Sequence, residues 1–194
     1  ITPGGESFAL GGTTIFTDTA TAGEALLITT GGQESGGGNG LLLFRGESNA
    51  GASTVTAEGG AGSDAVAGGG VAFSHNASAS SATLTSEGAK VLGAFGGEIQ
   101  FSGNSTAAQA TLIATSGVGM GGFIVFFAHS SGGNARLELF DRGVLEIDSH
   151  RSPGVTVGSI EGDGSVFLGP NVLTVGSNDL TTTFSGVIDD GGAG

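Results

Sequence analysis

The stretch Gly59-Gly60-Ala61-Gly62-Ser63-Asp64-Ala65-Val66-Ala67 has the spacing of a calcium nonapeptide, G-G-x-G-x-D-x-U-x, with Asp64 as its carboxylate. Calcium takes roughly six to eight oxygen ligands, and this motif supplies them when copies stack in tandem. The chain holds one copy, and the matching stretch 88–97 has no Asp. Asp64 is thus a bare candidate for calcium, and no other metal or cofactor is expected. The densest polar group is Asp141, Glu146, Asp148 and His150, with Arg142 and Arg151 beside it. Alternation puts Glu146 and Asp148 on one outward strand face, where paired carboxylates could act as acid and base on a glycosidic bond. A solvated face with local charge pairs is the plainer reading, because the chain has no Trp or Tyr to stack on a sugar. His75 and His129 follow Phe73 and Phe126 by two and three positions and could meet at one corner, but no carboxylate is fixed beside them. No Ser/His/Asp constellation and no G-x-S-x-G elbow appears, so no catalytic residue is assigned.

Charge and composition narrow the partners. Eighteen acids face five bases, a net charge of −13. Phosphate neutralisation needs clustered Lys and Arg, so nucleic acid and anionic membrane surfaces are poor partners. No apolar run approaches the ~18 residues of a membrane-spanning helix, so no membrane insertion by this segment is expected. The absence of Cys removes disulfides, thiolate metal sites and Cys nucleophiles together. The sequence begins at Ile1 rather than Met and shows no leader peptide, as expected of a processed chain or a fragment.

These residues must be positioned by elements that the Phe spacing announces. Phe16, Phe44, Phe73, Phe101 and Phe126 are separated by steps of 28, 29, 28 and 25 residues. Each follows a Gly-containing stretch and an aliphatic or Thr, as in Gly96-Gly97-Glu98-Ile99-Gln100-Phe101. Nine to eleven residues after each comes a second marker: Ala25-Leu26-Leu27, Ser53-Thr54-Val55, Ala82-Thr83-Leu84, Ala110-Thr111-Leu112 and Ala135-Arg136-Leu137. A fixed period in the ~20–50 residue range means stacked structural repeats. Gly and β-branched residues fill these units, so the repeat is a coil of strands, not of helices. One turn cannot bury its own apolar side chains, whereas turns stacked at the ~4.8 Å strand spacing place like over like. Phe over Phe then forms an internal ladder. Ile99 and Phe101 point inward while Glu98 and Gln100 point outward.

The reading is an all-β fold: a single-stranded parallel β-helix (β-solenoid) of about seven coils, each of roughly 28 residues, as one domain over 1–194. Residues 1–135 carry the Phe-marked repeats and 136–194 the tighter coils. Segments 31–40 and 57–70 read as turns that bulge from the coil. A short third strand is expected near 88–97 and 116–122, where Val91, Leu92, Phe95, Val118 and Met120 gather. The Ser/Thr/Asn-rich stretches after each Phe read as corners that need small side chains.

The stretches Gly158-Ser159-Ile160-Glu161-Gly162-Asp163-Gly164-Ser165-Val166-Phe167-Leu168-Gly169, Leu173-Thr174-Val175-Gly176-Ser177-Asn178-Asp179 and Phe184-Ser185-Gly186-Val187-Ile188 resemble autotransporter-associated β-strand repeats. The resemblance is clearest over 136–190. It implies a right-handed parallel β-helix passenger displayed at the bacterial cell surface or secreted. The expected function is therefore a non-enzymatic structural or adhesive segment, with surface glycans or host and matrix surfaces as partners. One alternative is a filament subunit that self-associates through the solenoid ends; another is a polysaccharide-active β-helix enzyme.

Overall fold

Strands of three or four residues recur because each of the early repeats offers two short alternating runs, one for each of two sheets, separated by turns. In a computed structural model, which describes residues 10–64 and 66–191, the chain is an all-β parallel β-solenoid of about seven turns, with no helix among those residues. One sheet has eight strands: β1 (Thr13–Phe16), β3 (Leu41–Phe44), β5 (Gly70–Phe73), β7 (Glu98–Phe101), β9 (Phe123–Phe126), β11 (Val144–Glu146), β14 (Ser165–Phe167) and β16 (Val187–Asp189). The second has six: β2 (Leu26–Thr29), β4 (Thr54–Ala57), β6 (Thr83–Ser86), β8 (Thr111–Ala114), β10 (Arg136–Leu139) and β13 (Ser159–Gly162). A short third sheet pairs β12 (Gly154–Val157) with β15 (Val172–Val175). Every strand pair is parallel.

Register is set by which side chains the interior accepts. Leu42, Val71, Ile99, Ile124, Leu145 and Val166 stand directly over one another and are buried. Leu27, Val55, Leu84, Leu112, Leu137 and Ile160 form the facing ladder from the second sheet. A slip of one residue would turn each strand's apolar set outward, so register and burial enforce each other. The five Phe rings close the interior at the ends of their strands. Successive centroids are 4.8, 4.7, 4.9 and 4.9 Å apart, with planes 13°, 3°, 9° and 11° from parallel. Beyond Phe126 the ladder continues with buried Ile147, one residue past β11, and the half-buried Leu168 packs against the same core.

The pitch of the coil changes along the chain. The first four turns take 28, 29, 28 and 25 residues, from the pairs Thr13–Leu41, Leu41–Gly70, Gly70–Glu98 and Glu98–Phe123. The next three take 21, 21 and 22, from Phe123–Val144, Val144–Ser165 and Ser165–Val187. The coil of roughly 28 residues read from the Phe spacing describes the early turns, and the later turns are shorter. Turns become shorter where the loop leading into the first sheet shrinks to a tight connection such as Asp141-Arg142-Gly143.

The third strand expected near 88–97 and 116–122 does not form; both segments are loops. Their apolar residues divide: Ala89, Ala94 and Val91 make a small second core with Val66, while Leu92, Val118 and Met120 are exposed. The third side of the coil lies instead at the Ser/Thr/Asn corners, where Thr21, Asn49, Ser78, Thr106 and Ser131 make a continuous series of single parallel bridges. Pairing over residues 182–188 is also shorter than its composition suggests, with only Phe184 bridging before β16 begins.

The glycines have a steric reason. A Cβ on Gly96 would lie 1.9 Å from the Gly121 carbonyl oxygen of the next turn, and one on Gly121 would lie 1.7 Å from that of Arg142. A Cβ on Gly97 or on Gly122 would lie 2.1 Å from the carbonyl oxygen of Ala57 or of Ser86. The Gly-Gly pairs before β5, β7 and β9 are thus where the loop folds back onto its neighbours, and the single Gly143, Gly164 and Gly186 hold the same place before β11, β14 and β16. No side chain fits between them.

Candidate functional site

With the interior given over to ladders, chemistry is confined to the outward rows. The outer face of the eight-stranded sheet presents Leu41 and Leu43, then Gly70 and Ala72, then Glu98 and Gln100, then Phe123 and Val125, then Val144 and Glu146, in successive turns. Gly70 and Ala72 are small between bulkier neighbours, so the face dips. Phe95, from the loop before β7, helps to line the dip. The result is a groove of about 370 Å³ lined by Asn39, Leu41, Ala72, Phe95, Phe123 and Phe127, with the carboxylates of Glu98 and Glu146. That volume is in the range of small-molecule sites, whose walls are mostly apolar with a few polar groups.

Both acids are perturbed. Burial pushes the Glu98 carboxyl above the usual carboxylate range. Glu146 is pushed up first by burial, then by the charge of Asp148, then by that of Glu98. Because much of the Glu98 residue remains exposed, the effect on stability is modest. Neither carboxylate has a hydrogen-bond or ion-pair partner among the described residues. Arg142 donates to the Gly119 carbonyl at 3.2 Å, Lys90 pairs with Glu58 at 2.9 Å, and Arg136 binds Glu161 and Glu138 on the other sheet.

The acidic cluster read from the sequence is divided by the fold. Glu146 and Asp148 stay together at the edge of a second, more open cavity of about 440 Å³, shared with Phe167, Pro170 and Asp190. Asp148 sits beyond the end of β11 in a turn, where it accepts from the Ser149 amide at 2.7 Å. Asp141 lies at the opposite end of β11, with its own amide donating to Asp163. The His150 ring spans two carbonyl oxygens, those of Arg151 at 2.7 Å and Ser130 at 2.8 Å. It faces backbone rather than the carboxylates.

Asp64 adopts a left-handed backbone with φ of 66° and accepts from Ser35 Oγ at 2.8 Å. No group of three or more His, Asp or Glu gathers around a point among the described residues. Between His75 and His129 lies one full turn, since the Asn104 amide donates to His75 and the His129 amide to Gly103. The corner hydroxyls serve the backbone. Thr21, Ser78, Thr106 and Ser131 accept from the amide two residues on, at 3.0 to 3.1 Å, and so fix the tight bend.

Two features escaped the sequence reading. Glu98 and Glu146 are 48 positions apart, and only parallel stacking puts them in one groove. Their outward parity could have been counted once the coil lengths were known. A paired Thr row also forms outside the second sheet, with Thr54, Thr83 and Thr111 in one line and Thr56 and Thr85 in the next. Set against known proteins, the chain matches no family model, no curated protein and no solved structure.

Proposed function

We propose that the chain is a non-enzymatic rod segment of a bacterial cell-surface or secreted protein, of the autotransporter passenger kind, that presents adhesive outer faces. The single observation that carries this reading is the unbroken register of seven parallel turns around ladders of Phe and aliphatic side chains. A fold that spends its interior on repetition gains length and lateral surface with each turn. The resemblance of 136–190 to autotransporter-associated repeats supports an extracellular setting. The net charge of −13 supports glycans or protein surfaces over nucleic acid as partners. The test is adhesion of the purified chain to glycan- and matrix-coated surfaces, with electron microscopy of the same sample. Discrete short rods that adhere support the reading; rods that bind no coated surface overturn its adhesive half.

A second reading, a filament subunit, has one observation in its favour. β16 is an outermost strand of the large sheet, and Val187 and Ile188 on it are exposed. An open strand edge templates further pairing, and a second copy stacked head to tail would extend the ladders. Light scattering at two concentrations separates the readings: particle length that grows with concentration favours the filament, and constant length favours the spacer.

A further inference from the structure

We propose that the groove on the outer face of the eight-stranded sheet binds a short aliphatic diamine, with one ammonium group at Glu98 and the other at Glu146. The placement of the two acids carries the inference. Glu98 pairs in register with Phe123, and Glu146 with Val125 on the other side of the same strand, β9. Two strand steps and two residues along the sheet therefore separate the acids, about 12 Å between Cα atoms from the ~4.8 Å spacing and ~3.3 Å rise. Phe123 and Val125 occupy the ground between them. Two anionic ends with an apolar middle suit two cationic ends joined by a methylene stem.

The electrostatics agree. Charge on Glu146 is opposed by Glu98 and by Asp148, and no Lys or Arg among the described residues pairs with either groove acid. A bound ammonium relieves that repulsion, and the low-polarity lining strengthens the attraction. Phe95, Phe123 and Phe127 line the groove, and an aromatic face attracts a cation placed over it. A single metal ion suits the site less well, because no group of three or more acids or His that could hold one gathers there among the described residues. The proposal stands independently of the adhesive reading.

The test is isothermal titration of the full chain at low salt and pH 7 with a five-carbon α,ω-diamine. The comparisons are n-pentylamine and a neutral oligosaccharide. The expected result is saturable one-to-one binding of the diamine, at least tenfold tighter than the monoamine. Glu98→Gln and Glu146→Gln should each weaken it about tenfold, and the double variant should abolish it. Glu24→Gln removes an equal charge from a remote corner and should leave binding unchanged, which separates a site from general attraction to an acidic chain. Circular dichroism of each variant verifies folding. Diamine binding that survives in the double variant, that no better than matches the monoamine, or that falls equally with Glu24→Gln would overturn the proposal. So would saturable binding of the oligosaccharide without the diamine.

Discussion

The rings of Phe73 and Phe101 stand 28 positions apart in the chain and 4.9 Å apart in space, 9° from parallel. That distance is the strand spacing itself, so each ring is held by the backbone pairing of its own turn. The stack in turn seals that pairing from water. Both rings are fully buried.

Truncating the middle of this stack should therefore be costly. Phe101→Ala removes a buried ring that contacts rings on both sides, and a loss of roughly 3–5 kcal/mol is expected in denaturant unfolding. Phe95→Ala, on the groove rim, should cost far less. A loss below about 1 kcal/mol for Phe101→Ala, on the large-to-small scale for core rings, would argue against a sealed ladder.

The glycine pairs should be intolerant for steric reasons. Gly121→Ala would drive a methyl into the Arg142 carbonyl at 1.7 Å, which only backbone movement can relieve. Gly93→Ala has open space around it but a φ of 81°, so it should cost only the ~1 kcal/mol of left-handed strain. Thermal unfolding of the two variants should show Gly121→Ala several degrees below Gly93→Ala, and the reverse order would contradict the close approach.

The groove acids should make stability depend on pH in a specific direction. Glu98 and Glu146 have raised values in the folded chain, so the fold holds their protons more tightly than the unfolded chain does. Their contribution is present below the ordinary carboxylate value and is lost as pH rises through the raised folded value. Glu98→Gln and Glu146→Gln should thus melt higher than the parent at pH 7, with the gap closing near pH 4. A gap that stays constant with pH, or a parent that is more stable at pH 7, would refute the desolvated pair.

The Arg136 cluster should matter little. Arg136 bridges Glu138 and Glu161 on the outer face of the second sheet, with its side chain 43 % exposed. Exposed pairs contribute at most about 1 kcal/mol and are screened by salt. Arg136→Ala should shift the unfolding midpoint slightly at low salt and not at all in molar salt.

Architecture was legible in the sequence because solenoid physics writes it there. Phe16 to Phe126 and the Leu27-to-Leu137 ladder both show as fixed spacings with inward parity. Loops were less legible, since Val91 and Ala94 pack into a private core whereas Leu92 beside them does not, and no period distinguishes the two. The groove was hidden for a different reason. Glu98 and Glu146 are ordinary outward residues on their own strands, and they become neighbours only when turns of 25 and 21 residues are stacked. The acidic cluster misled in the opposite way: Asp141 and His150 are near Glu146 in the chain, but β11 and its turns carry them to different sides.

The most direct test of parallel in-register stacking uses the absence of native Cys. Thr83 and Thr111 are register partners on adjacent turns, whereas Thr54 and Thr111 are separated by a full intervening turn. Partners one strand spacing apart lie within disulfide reach, and those two spacings apart do not. Thr83→Cys with Thr111→Cys should close a disulfide under mild oxidation, and Thr54→Cys with Thr111→Cys should stay reduced. Failure of the first pair in a folded chain, or equal closure of both, would contradict the solenoid register on which every other inference rests.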